Sequence, residues 1–142
     1  SDIDKKGAEL LQSLCRFIWV VGDFSPLIFG AKADIYNNLG LNFTSLSHLD
    51  DLGLIKFSSV IVFRMERLPK TFTAYYCDQP LTLTMQKETD NDLSIGNVLL
   101  TQAGKELAKI SSAPGVDGFL EHVKEQWRAY LPENGNIPFI VN

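Results

Sequence analysis

Few side chains in this chain stand at spacings that chemistry requires. The two histidines, His48 and His122, and the two cysteines, Cys15 and Cys77, are scattered, so they compose neither a zinc site nor a disulfide framework. No G-x-S-x-G elbow, H-E-x-x-H pair or G-x-x-x-x-G-K-S/T loop occurs, which leaves acyl transfer, metalloproteolysis and nucleotide cradling without a motif. Glu88, Asp90 and Asp92 match the start of a calcium loop. Leu93 stands where its turn glycine belongs and Leu99 where its closing glutamate belongs, so the segment reads as a polar turn. His48 lies beside Asp50 and Asp51, and both histidines read first as part of a polar helix face. Cys77, near a turn, has no evident basic neighbour to lower its thiol pKa. The expectation is a non-enzymatic protein with no catalytic residue, no cofactor and no metal.

Binding is the chemistry that remains. Arg64, Arg67 and Lys70 in FRMERLPKTF, interleaved with Met65, Leu68 and Phe72, form the one basic cluster of note. It suits an acidic partner or a phosphate, although ordinary solvated charges with Glu66 balancing one of them give the plainer reading. Residues 44–52 carry Ser45, Ser47, His48, Asp50 and Asp51, whereas reading base edges calls for Arg, Lys, Asn or Gln. The candidate interaction surface is therefore Ser45, Ser47, His48, Arg64, Arg67 and Lys70. It is expected to face a protein, either another chain or another part of the same parent chain. Duplex DNA is the disfavoured alternative, because a net charge of −4 gives no general attraction to phosphate.

Positioning these residues falls to a helix-then-strand series. Apolar residues Ile3, Leu10, Leu14, Phe17, Ile18 and Val21 recur at helical steps, predicting a first helix over 3–21. Ser25-Pro26 reads as the cap and first residue of a second helix ending near Gly40. Thr44 is the expected cap of a third, with Leu46, Leu49 and Leu52 as its face and Gly53 as its left-handed stop. Leu54–Phe57 and Val60–Phe63 are β-prone. Residues 71–86 alternate as a hairpin about Cys77–Pro80, and a further strand covers Ile95–Leu100. Thr101 caps a fourth helix with Ala103, Leu107 and Ile110 on one face, and a fifth carries Val116, Leu120, Val123, Trp127 and Tyr130 up to Pro132. That last amphipathic helix must pack on its own chain or on a second copy, so residues 116–141 are a candidate homodimer contact.

Three helices followed by a hairpin is the order of a winged helix, and TSLSHLDDLGLIKF (residues 44–57) and IGNVLLTQAGKEL (residues 95–107) resemble its recognition helix and final wing strand. Over residues 8–112 the chain is also similar to the C-terminal part of an uncharacterised bacterial family, domain of unknown function number 2806. LCRFIWVVG, IYNNLGLNFTSLSHLDDLGLI and LLTQAGKEL carry that likeness. The resemblance implies a longer parent protein and transfers no binding or catalytic residue.

The composition fits this α+β reading. The 142 residues, 45% hydrophobic and 21% charged, suffice for one domain with a core of its own: residues 1–112 as a winged-helix-like unit and 113–142 as a C-terminal helix and tail. The apolar stretch from Phe17 to Ala31 is interrupted by Asp23 and Pro26 and reads as core, not a membrane span. Residues 1–9 lack the order of a secretion signal, and the free thiols suit a reducing compartment, so the expected location is cytoplasmic. A start at Ser1 instead of Met fits a piece of a longer protein.

Overall fold

A computed structural model describes residues 4–131 and 139–141 as a mixed α+β fold with antiparallel sheets. Helix α1 (Lys5–Cys15) is capped by Asp4, whose side chain accepts from the Gly7 amide. It ends well short of the expected Val21. Strands β1 (Ile18–Val21) and β2 (Asp23–Pro26) follow as a hairpin turning on Gly22. An unbroken apolar run such as Phe17–Val21 satisfies helical spacing by default. Its β-branched and aromatic content decides for a strand, and Pro26 closes an edge strand instead of opening a helix. The second helix, α2 (Asp34–Asn37), is a single turn.

Helix α3 (Phe43–Asp51) forms where expected, but its cap is Asn42 and not Thr44. Asn42 Oδ1 accepts from the Ser45 amide, and Ser45 Oγ accepts from the Asn42 amide, a reciprocal capping box. Gly53, at φ +77°, ends the helix in the left-handed conformation. Leu46, Leu49 and Leu54 are buried, while Leu52 is half-buried.

Strand β3 (Ile55–Phe57) pairs antiparallel with β8 (Val98–Leu100). Between them lie β4 (Phe63–Leu68), β5 (Thr71–Tyr76), β6 (Gln79–Thr84) and β7 (Asn91–Gly96). The β5–β6 hairpin matches its alternation, and Cys77 and Asp78, both at positive φ, make the two-residue turn that the strand twist favours. It joins β1 and β2, and β9 (Phe139–Val141) adds at the far side in the order β2-β1-β5-β6-β9. Strand β4 pairs with β7 through two register shifts, with Arg67 at φ 58° inside the second. Residues 60–62, expected in a strand, are outside any, and the expected strand over 95–100 is divided at Asn97 between β7 and β8.

Helix α4 (Gln102–Lys109) starts at Thr101, whose Oγ1 accepts from the Gly104 amide and donates to Gly53 O at 2.6 Å, tying two helix ends together. Its inward face is not the one expected. Gly104 is buried and Leu107 half-buried, but Ala103 is exposed and Ile110 is 81% exposed. Helix α5 (Phe119–Trp127) continues as a 3-10 turn, Arg128–Tyr130, and buries Phe119, Val123 and Trp127 within its own chain. Phe119 replaces Leu120 as the principal contact.

The buried apolar residues form one cluster. At its centre Phe17 meets Tyr36 and Phe119 edge-on at 5.1 and 4.9 Å, and Trp19 stacks on Tyr76 and meets Trp127 edge-on. Such pairs add about 0.5–1.5 kcal/mol each beyond the area they bury. Trp127 Nε1 donates to Ser94 O at 2.8 Å, so its one polar atom is satisfied inside the core. Among the described residues, no helix is long and apolar enough to cross a membrane.

Candidate functional site: an apolar surface held in place

Gly96, at φ +87°, lies so close to Ile28 that a Cβ there would collide with the Ile28 carbonyl. Its missing side chain lets the end of β7 approach residues 28–30, and the Asn97 amide donates to Ile28 O at 2.8 Å. Asn97 then makes three further hydrogen bonds. Its Oδ1 accepts from the Gly30 amide at 2.8 Å, its Nδ2 donates to Ile61 O at 3.0 Å, and its own carbonyl accepts from the Ser58 amide at 3.1 Å. Ser58 Oγ in turn accepts from the Val60 and Ile61 amides at 3.2 and 2.9 Å. The loop over 58–62 is thus fixed by a buried asparagine and a serine turn.

What this scaffold displays is greasy. Val60, Ile61 and Val62 are 85%, 58% and 45% exposed, and Phe43, in ring contact with Phe57 at 5.5 Å, is 58% exposed. Beside them run two grooves. One, of about 320 Å³, is lined by Phe29, Ala31, Lys32, Ala33, Phe43, Phe57 and Ser59. The other, of about 350 Å³, is lined by Val62, Ser94, Gln126, Ala129 and Tyr130. Phe29, Gly30 and Asn97 line both. Phe29 is held by Tyr36, whose hydroxyl accepts from the Phe29 amide at 3.0 Å and donates to Leu27 O at 2.8 Å. Burial raises the Tyr36 phenol well above its ordinary pKa, so it stays a neutral donor.

The residues expected to form the contact surface fall into two groups on separate elements. Ser45 is buried, and its hydroxyl serves the α3 cap instead of facing solvent. Ser47 and His48 are half-buried, and His48 Nε2 stands 3.6 Å from Asp4 Oδ2. The Gly7 amide, and secondarily His48, holds the Asp4 carboxyl below its usual value. Asp50 is half-buried and accepts from the Phe57 amide at 2.8 Å, so it braces β3. Arg64 and Arg67 project exposed from β4, while Lys70, in the next connection, lies 3.6 Å from Glu88. No hydrogen bond or ion pair joins the two groups among the described residues. The 60–62 patch and Asn97 were missed because an apolar β-prone run reads as core and Asn97 reads as one more residue of the strand over 95–100. Ser58, which caps that loop, was the one local signal available.

A second cleft, of about 190 Å³, is lined by Cys15, Arg16, Tyr76 and Cys77 among others. Cys77 is exposed and not buried as a thiol fitting the core would be, and Arg16 lines the same cleft with its guanidinium donating to Pro114 O and Gly115 O, each at 3.2 Å. Burial pushes the Cys15 thiol above its ordinary pKa, and Tyr76, also by burial, is pushed up to about 12. Both groups are therefore protonated at neutral pH and poor nucleophiles. Among the described residues no group of three or more His, Cys, Asp or Glu comes together to hold a metal ion. The family model described as "Protein of unknown function (DUF2806)" matches residues 1–124. No curated protein and no solved structure matches the chain.

Proposed function

Since the chain belongs to the family of proteins of unknown function DUF2806, which supplies no activity, we propose from the geometry that it is a non-enzymatic protein-interaction module. The observation that carries this is the exposed apolar surface of Phe43, Val60, Ile61 and Val62 on a hydrogen-bonded support. Burying one such side chain fully is worth about 1.5–3 kcal/mol, so covering four of them offsets much of the cost of association. Isolated exposed residues such as Tyr75 and Ile110 carry no such weight, because single apolar side chains on a surface are ordinary.

The reading has an architectural side. Helices α1, α2 and α3, with the β1–β2 hairpin between the first two, and the β3–β8 pair after them support a winged-helix-like reading in which residues 58–97 are a much enlarged wing. On that reading the apolar loop opens the wing and Phe43 opens the recognition helix. A protein partner, or another part of the parent chain, then occupies the face that DNA-binding relatives of this architecture turn to the duplex. Asp51 is exposed on α3, and Glu88, Asp90 and Asp92 are exposed before and within β7, which disfavours phosphate.

The test is affinity capture with the intact chain and with Ile61→Asp, each with and without nuclease, alongside anisotropy with duplex DNA. The expected result is a partner retained after nuclease treatment and lost with Ile61→Asp, with weak DNA binding at physiological salt. Capture that nuclease abolishes, or micromolar DNA binding with steep salt dependence, overturns the reading.

A further inference from the structure

We infer that the paired grooves take an extended apolar peptide segment of a partner protein, with an Asp or Glu side chain of that segment meeting Lys32. This rests on the interaction reading above and adds the chemistry of the partner. The two grooves share Phe29, Gly30 and Asn97 in their linings, so they adjoin one another. Gly30, at φ +84°, has nothing within 4 Å of where a Cβ would stand, and the saddle between the grooves stays open because no side chain fills it. An extended segment places its i and i+2 side chains on the same face, which suits two neighbouring apolar depressions better than a helix does.

The charge is equally specific. In a chain of net charge −4, Lys32 is, among the described residues, the only charged one lining either groove, and it makes no ion pair with any of them. The backbone amides of Gly30 and Asn97 at the saddle are already committed, to Asn97 Oδ1 and Ile28 O. A carboxylate in this groove meets the ammonium of Lys32, and a side-chain carboxylate leaves the segment free to run on across the saddle. Ser59 in one groove and Gln126 in the other have side-chain donors without a protein partner among the described residues, and these suit the carbonyls of a passing peptide backbone.

The experiment uses a phage-displayed library of random peptides panned on the intact chain, with the enriched peptides synthesised and titrated by fluorescence anisotropy. Enriched sequences should carry two apolar residues at i and i+2 with an Asp or Glu close by. Lys32→Glu should weaken binding roughly tenfold, and a peptide with that acid replaced by Lys should regain affinity for the Lys32→Glu chain. Peptides that ignore the sign of residue 32 but are lost with Val62→Asp, which lies in the lining of the second groove, overturn the carboxylate assignment and leave the interaction reading standing. A library that enriches nothing, or only peptides indifferent to both substitutions, overturns the two together.

Discussion

Two aromatic and aliphatic clusters in this molecule share a chemistry and differ in where water is. Around Phe17, Trp19, Tyr36, Phe119 and Trp127 every ring is fully buried, and the polar atoms of Tyr36 and Trp127 are hydrogen-bonded inside. Around Phe43, Val60, Ile61 and Val62 the side chains are largely in solvent, while the 58–62 backbone is tied by hydrogen bonds to Ser58 and Asn97. Hydrophobicity alone does not separate a core from a contact surface. The separation lies in whether the chain that builds the support also covers it.

The contrast predicts unequal responses to truncation. Trp127→Ala should cost about 3–5 kcal/mol, since it opens a cavity beside Trp19 and leaves Ser94 O without its donor. Leu49→Ala, on the fully buried face of α3, should cost about 2–5 kcal/mol. Denaturant midpoints measure both, and an unchanged midpoint for either would place that residue outside the core. Asn97→Ala comes next, at about 1–3 kcal/mol, because the Gly30 amide and Ile61 carbonyl lose their partner. Hydrogen exchange should show the loosening at Gly30 and over 58–62 first, and uniform loosening across the chain would deny Asn97 its local role.

A pH effect should be smaller. Burial against Tyr36 and Phe119 holds His122 below the ordinary histidine pKa of 6.5. The unfolded chain then takes up that proton at higher pH than the folded one does. The contribution is full above about pH 7.5 and declines as pH falls through 6.5 towards the lowered folded value. His122→Gln should flatten the fall in unfolding midpoint between about pH 7.5 and 5.5, and an unaltered slope would show that the fall arises elsewhere. Least of all, Ile61→Ser should shift stability by no more than about 0.5 kcal/mol while lowering partner capture. A large loss of stability there would make the patch part of the core.

The same contrast explains what could be read from the residues in advance. The β5–β6 hairpin, Gly53 as a helix stop and Thr101 as a cap were legible because each is decided within a few residues by alternation, left-handed φ or a side-chain oxygen. The Phe17–Pro26 hairpin was not, since a continuous apolar run fits either period and only pairing with β5 fixes it as strand. The apolar loop was hidden for the opposite reason. Val60–Val62 has strand composition, and its exposure depends on Asn97 and Gly96, far along the chain. Of the expected contact residues, Arg64 and Arg67 do lie on the surface, whereas Ser45 was spent on a cap that the spacing Asn42-x-x-Ser45 already encoded.

The edge contact between Trp19 and Trp127 also sets a timetable. The ribosome releases β1 about a hundred residues before α5, roughly 5–20 s at ordinary synthesis rates, so the inner face of β1 must wait for its cover. Strand β5 can reach it sooner, through the Trp19–Tyr76 pairing, but the far side of the indole closes only when the last helix emerges. A nascent chain stalled between those two points would present that face to chaperones. Residues 125–131, beyond the end of the family match, are what finally release it.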